Sequence, residues 1–498
     1  MNRPPVLPQR LLKVRETLRE AVEGGLVPSV AVAVVRAGEI LWEEGFGVAD
    51  RSRNLPASAH TMYSVASISK PITATGLMVL VDRGMLRLDD VANEYLGDTK
   101  LTLPGGKVEP VTLRQIANHT SGLPLHYQFF YENEGRPVPD REESIRRYGV
   151  LVTPPGACYQ YANFGYGVLD HMIARISEQS YAQFMKEEVF EPLGMSRSSI
   201  HARAGDGQGD VAVRYGSDGD PIAYYGFDHD GASAVYSSAH DLARFALFHL
   251  KTPRKDQRVL FGESLLDAMQ VSTATINAQL GYGVGWRMEE NRHGYRLVGH
   301  TGGMPGVRTR LTLVPDEQIA VVALTNVSCE FPFRVVEEVL SALLPGYERG
   351  RSETLSSDTE KASESSPCLE TSLTGVWVGL LSTPEGDRKV SLWIHPEGEI
   401  QAQVESQEKS RVNEVEWENG FLRGWFRGDI RTEDTARIPY HLHLRLRQEG
   451  ERLSGNLSAI SRIRSDETDE LLPKIRHFAL SHPLCLDRRV SVEVDSFA

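Results

Sequence analysis

The strand-like runs of this chain fall at the two ends of its first 345 residues, and that placement constrains the fold more than any other feature. Val30–Val35 and Ile40–Trp42 are β-rich and flank Ala37-Gly38, which predicts a hairpin. Strand composition returns near Leu297–Arg310 and Leu311–Leu324. Between them, helical periodicity occupies 68–83 (closed by Gly84), 164–188 and 239–250. Early and late strands bury their apolar faces together if they form one antiparallel sheet with a mostly helical region inserted between. The expected class is therefore α+β, an antiparallel sheet flanked by helices. An amphipathic helix is expected ahead of it, within MNRPPVLPQRLLKVRETLRE.

At 498 residues the chain exceeds what one core usually serves, so at least two domains are expected. Residues 350–370, GRSETLSSDTEKASESSPCLE, offer little to bury and read as an exposed linker. That divides the chain into 1–349, the linker 350–370, and 371–498. In the last part Tyr440, Leu442, Leu444 and Leu446 alternate with His441, His443, Arg445 and Arg447. Ile400, Ala402, Val404 and Leu453, Gly455, Leu457, Ala459 show the same period of two. About seven or eight short strands, with turns at Glu397-Gly398 and Asn419-Gly420, predict a small antiparallel β-barrel or sandwich.

The formal net charge of -13 argues against nucleic-acid binding, which needs a basic surface. Cys158, Cys329, Cys368 and Cys485 are far apart and form no C-x-x-C, which argues against a metal site or a disulfide scaffold and leaves a single bridge open. The N-terminus lacks a signal-peptide apolar run, and no stretch approaches 18 apolar residues. The expectation is a cytoplasmic chain with no membrane span.

Three short patterns carry chemistry. Ser67-Ile68-Ser69-Lys70 lies where Met62–Ala66 gives way to an apolar-periodic helix. A serine there has its hydroxyl near free backbone N–H groups, and a lysine three residues on shares its face. Burial would lower the lysine pKa until the amine acts as a base. Ser406–Lys409 has the same pattern but lies in a polar, strand-flanking stretch. Tyr161-Ala162-Asn163 supplies a phenol for proton relay and an amide for a substrate carbonyl. Its rival, Tyr131-Glu132-Asn133, is read as a mobile loop, whereas a helix from Phe164 fixes 161–163. Gly299-His300-Thr301-Gly302-Gly303 leads into a strand whose backbone a ligand could approach closely. Taken singly, each also fits a capped helix or a glycine turn.

In this order and spacing the three resemble the penicillin-recognising serine hydrolases. The closer resemblance is to the class C β-lactamase-related group, which holds D-aminopeptidases, D-Ala-D-Ala carboxypeptidases and esterases. Thr112–Ile116 running into His119–Leu123, Phe190–Met195, Ser237–Phe245 and Tyr282–Trp286 are similar to that group as well. The resemblance covers residues 10–345 and stops short of 371–498. It implies a serine β-lactamase-like fold, Ser67 as acylated nucleophile, Lys70 as its base, and Tyr161 as proton carrier to the leaving group. It also implies Asn163 as substrate orienter and the N–H groups of Ser67 and Gly303 as oxyanion hole. His300, Thr301 and Gly302 would complete the pocket edge.

Many β-lactamases have lysine where this chain has His300. A mostly neutral imidazole binds a carboxylate less well, so the departure leans toward esters or amides without that group, unless Arg308 and Arg310 restore the charge. No cofactor is called for. The expected partner is a small ester, amide or short peptide, and a homo-oligomer stays open. A D-amino-acid peptidase or carboxypeptidase is the alternative within enzymes; an acylated sensor or non-catalytic scaffold is the alternative outside them. His119 and His126 are expected in structural or solvent-facing roles, and His441 and His443 on a solvated strand face.

Overall fold

The computed structural model describes residues 7–207, 209–347, 373–418, 420–461 and 477–489, so the expected linker 350–370 lies outside the described residues. The early and late strands join in one nine-stranded antiparallel sheet. Its order is Leu55–Pro56, Glu39–Asp50, Ser29–Arg36, Ile319–Thr325, Val307–Val314, Tyr295–Met304, Arg287–Arg292, Leu280–Tyr282 and Ala274–Thr275. The seam is Ser29–Arg36 against Ile319–Thr325, with Val32 opposite Ala323. Both strands are apolar on both faces because both faces are covered. Val30, Val32 and Val34 meet the helices Gln9–Glu23 and Phe331–Leu343; Ala31, Ala33 and Val35 belong to the larger core that includes helices Ser69–Asp82, Asn163–Ser177 and Ala239–His249.

Some boundaries differ from the sequence reading, each for a local reason. The helix expected over 164–188 ends at Ser177, where Glu178 turns left-handed (φ 57°), and a second helix starts at Tyr181, capped by the Ser180 side chain. The strand composition at 297–324 is cut into three strands by the Pro305-Gly306 turn and by a 3₁₀ turn at Pro315–Glu317. Tyr131-Glu132-Asn133, expected as a mobile loop, is instead the end of a strand, Tyr127–Tyr131, and the start of a 3₁₀ turn, Glu132–Glu134. The strand was missed because it pairs with residues far away in sequence, on two sides: Tyr225–Phe227, and Phe478–Ala479 near the C-terminus.

The C-terminal region forms a nearly closed antiparallel, barrel-like sheet. Its order is Ser410–Arg411, Ile400–Val404, Gly386–Ile394, Gly375–Thr383, Phe478–Arg488, Arg452–Ser461, Tyr440–Glu449, Phe421–Phe426 and Asn413–Glu418. Its first and last strands are separated by one residue, Val412, whose N–H donates to the Ile400 carbonyl at 2.8 Å. Leu442, Leu444 and Leu446 are buried, as the period of two predicts. His441 and His443 are only half-exposed, and His441 stacks on Trp425 at 4.2 Å between ring centres. Cys158, Cys329 and Cys485 are free thiols.

This sheet docks onto the region inserted between the early and late strands. Besides the strand pairing, Ser481 Oγ donates to the Leu125 carbonyl at 2.5 Å, and Arg437 donates to the Phe129 carbonyl at 2.8 Å. Asp434 accepts from Tyr148 and Arg147. Segment 125–131 is thus held by both parts of the molecule.

Strand Tyr295–Met304 pairs with Arg287–Arg292 only as far as Gly299, so the edge at 300–304 faces the turn that carries Ser67. Gly302 makes that approach possible: an added Cβ would stand 2.3 Å from the Val65 carbonyl and 2.1 Å from Thr309 Oγ1. At Gly303 the nearest atom to an added Cβ, 2.8 Å away, is the movable end of Arg308. Gly302→Ala is expected to destabilise the protein by about 1–3 kcal/mol through forced backbone shifts. Gly303→Ala is expected to cost less than about 0.5 kcal/mol, as for ordinary surface substitutions. Chemical denaturation of the two variants beside the wild type measures the difference.

Candidate active site

Ser67 stands in a 3₁₀ turn, Ala66–Ile68, that runs directly into helix Ser69–Asp82. Ala66 is left-handed (φ 49°), a conformation that costs an L-residue roughly 1–2 kcal/mol. The surroundings enforce it. Val65 N–H donates to the Val235 carbonyl at 3.0 Å, the Val65 carbonyl accepts from Thr309 Oγ1 at 2.9 Å, and Ser69 Oγ accepts from Val235 N–H at 3.1 Å. Two distant stretches of chain, at Val235 and Thr309, hold the turn.

Lys70 is fully buried. Its Nζ lies 3.2 Å from Ser67 Oγ, 2.8 Å from Asn163 Oδ1 and 3.3 Å from the Ala232 carbonyl. None of these partners is a carboxylate, and burial alone pushes the amine well below the ordinary lysine value of 10.5. The Tyr161 ring centre is 4.7 Å from Nζ. Burial pushes the Tyr161 phenol well up, against a smaller downward pull from its hydrogen bond with Ser67. Lysine thus tends to lose its proton and tyrosine to keep one, with the serine hydroxyl between them. Asn163 opens helix Asn163–Ser177, so its side chain is fixed at a helix start.

The third pattern divides. Gly303 lines a cavity of about 380 Å³ with Ser67, Tyr161, Asn163, His229 and Ser233, walled by Leu125, Tyr127, Phe129, Met304 and, from the C-terminal sheet, Ile460. Gly302 packs against the Ser67 turn. His300 and Thr301 line a different depression of about 230 Å³. His300 Nδ1–H donates to the Thr301 carbonyl at 2.8 Å, and Nε2 accepts from Tyr282 O–H at 2.9 Å. Burial and the nearby Lys70 push the His300 pKa down to about 3, so the ring is neutral across the physiological range. Arg308 and Arg310 are engaged with Glu330 (2.5 Å) and Glu337 (3.0 Å). Among the described residues lining the Ser67 cavity there is no arginine and no exposed lysine.

His119 and His126 are both buried, which removes the solvent-facing option. His119 accepts from Ala162 N–H at 3.2 Å, and its ring stands 4.4 Å from that of Tyr161, so it backs the tyrosine. The rival Tyr131 and Asn133 line a second cavity of about 870 Å³ that shares Gly303 and Met304 with the first. The sequence reading missed segment 228–235. It supplies His229, Ser233 and the Ala232 carbonyl, and is pinned by Thr73 Oγ1 donating to the Gly231 carbonyl at 2.6 Å and Gly231 N–H donating to Asp170 at 2.7 Å. Its adjacent Asp228-His229-Asp230 run, just ahead of the family-like Ser237–Phe245, was the available signal.

Comparison with known proteins identifies the family. The Beta-lactamase family model matches residues 14–343. Penicillin-binding protein 4* of Bacillus subtilis (strain 168) is 27% identical in an alignment of 319 residues that covers 59% of this chain and 67% of that protein. The chain spans about two thirds of the length of the curated relatives it matches. The structure of the octameric penicillin-binding protein homologue from Pyrococcus abyssi is similar with TM-score 0.59 and 22% identity, covering 90% of this chain and 98% of that one. That of EstCE1, a hydrolase with promiscuous acyltransferase activity, is similar with TM-score 0.56 and 20% identity, covering 67% and 98%. The catalytic fold, the family match over two thirds of the sequence and the clustered serine, lysine and tyrosine place this chain in the β-lactamase family of penicillin-recognising serine hydrolases.

Proposed function

We propose that this protein hydrolyses small esters or amides through an acyl-enzyme on Ser67. The carrying observation is the buried Lys70 amine, 3.2 Å from Ser67 Oγ, with no carboxylate among its hydrogen-bond partners. A lysine whose pKa burial has lowered is a base suited to a serine hydroxyl.

Lys70 takes the hydroxyl proton as Oγ bonds to the substrate carbonyl carbon. The oxygen that becomes negative is received by the N–H groups of Ser67 and Gly303, where losing one such donor typically costs about 10²–10³ in turnover. Tyr161 gives a proton to the leaving oxygen or nitrogen as its bond to carbon breaks, and regains one from Lys70. Asn163 holds Lys70 in place as well as facing the cavity, so its role extends beyond orienting the substrate.

The cavity favours an uncharged, largely apolar acyl group: five of its lining residues are Leu125, Tyr127, Phe129, Met304 and Ile460, and no cation stands ready for a carboxylate. The larger cavity continuing from Gly303 and Met304 supports a second reading, a short peptide. It is lined by Asp218 and Asp220, which suit a substrate with a free amine. The octameric relative is a reason to include a homo-oligomer in the proposal.

A panel of p-nitrophenyl butyrate, a cephalosporin and D-amino-acid amides separates the readings. The ester is expected to turn over faster than the cephalosporin; faster cephalosporin hydrolysis contradicts the proposed preference. Ser67→Ala is expected to abolish all activity while leaving the melting midpoint nearly unchanged. Ile460→Ala is expected to raise kcat/KM for longer acyl chains relative to acetate, by up to about tenfold for the space of one or two methylenes. Steady-state kinetics on a p-nitrophenyl ester series of increasing chain length measures it, and an unchanged ratio removes Ile460 from the acyl wall.

A further inference from the structure

Three buried groups beside the cavity are unused in the acylation just described: His126, Asp228 and His229, none more than 2% exposed. Asp228 lies between two imidazoles. His229 Nδ1–H donates to its Oδ1 at 2.5 Å, and His126 Nε2–H donates to its Oδ2 at 2.7 Å. Burial alone would raise the Asp228 pKa, but the two histidines together hold it well below the usual carboxylate range. An ionised carboxylate so placed fixes the tautomer of both rings.

With Nδ1–H committed to Asp228, His229 is left with a lone pair on Nε2. That nitrogen is buried and has no hydrogen-bond partner among the described residues. His229 is among the residues lining the same cavity as Ser67, Tyr161 and Asn163. Its backbone is seated against Gly167, where an added Cβ would stand 3.0 Å from His229 Cα, and the chain three residues on touches Lys70 through the Ala232 carbonyl. An imidazole oriented by a carboxylate, with its second nitrogen free, is the arrangement of a general base.

Lys70 is poorly placed for a second task. Its nitrogen is already engaged by Ser67, Asn163 and the Ala232 carbonyl, whereas His229 Nε2 has no such partner among the described residues. Water attacking an acyl group on Ser67 arrives from the cavity, and His229 is on the cavity wall.

We propose that His229 is the catalytic base of deacylation, with Asp228 its positioning residue; the proposal rests on the acyl-serine reading above. The water oxygen bonds to the acyl carbonyl carbon while its proton passes to His229 Nε2, giving an imidazolium beside the Asp228 carboxylate. Collapse breaks the bond from carbon to Ser67 Oγ. The proton on His229 goes to the departing Oγ, and the carboxylic acid and free serine are restored.

The test is rapid acid quench during turnover of p-nitrophenyl butyrate, read by intact-protein mass, on wild type, His229→Gln and Asp228→Asn, with thermal melts confirming folding. In His229→Gln, kcat is expected to fall by about 10²–10⁴. KM is expected to fall with it so that kcat/KM holds, and Ser67 to be almost wholly acylated. Asp228→Asn is expected to show the same pattern to a smaller degree. Equal loss of kcat and kcat/KM without acyl accumulation overturns the assignment, as does unchanged turnover. Activity lost from wild type on dialysis against a chelator also overturns it, because the two histidines and the aspartate would then be serving a metal ion. Absence of any acyl mass on wild type and on both variants marks instead the failure of the acyl-serine reading itself, and takes this proposal with it.

Discussion

A lysine amine with no counter-charge sits at the centre of this molecule, and much of the architecture serves to keep it there. Isolating an ammonium from water is costly, so burial pushes the amine well below its ordinary pKa. The sign of the cost follows. Between its lowered folded pKa and the ordinary 10.5 of the unfolded chain, the unfolded state holds a proton that the folded state lacks. Stability from this group therefore rises with pH across that window and falls as pH drops back through it, with no further change below the folded pKa. The helices, the strained Ala66 and the packed segment 228–235 sustain this penalty from the surrounding core and hold the amine beside Ser67.

The two parts of the chain meet at segment 125–131. Strand Tyr127–Tyr131 pairs with the C-terminal sheet through Phe478 and Ala479, and it also supplies Tyr127 and Phe129 to the cavity. The barrel-like sheet is therefore part of the site wall, contributing Ile460 directly and supporting the opposite side through Ser481 and Arg437.

Much of the first layer was legible in the sequence because it is local. Ser67 and Lys70 announce themselves through their spacing and the apolar helix that follows, and Asn163 through the helix it opens. The alternation of Leu442, Leu444 and Leu446 gave the second sheet. What stayed hidden is non-local. Tyr127–Tyr131 is a strand only because partners about 100 and 350 residues away complete it. His300 looked like a pocket residue from its motif, yet its hydrogen bonds to Tyr282 and Thr301 turn it toward a neighbouring depression. His229 carries no spacing signal relative to Ser67; only folding brings the two to one cavity.

The most direct test of the neutral amine is the pH dependence of Ser67 acylation by a fluorophosphonate, followed as the second-order labelling rate. A base form that is already populated at lower pH predicts a rate that rises and reaches its plateau well below 10.5. A rate that stays low through neutral pH and climbs only near 10 would mean that Lys70 is protonated in the folded protein, and would contradict the account.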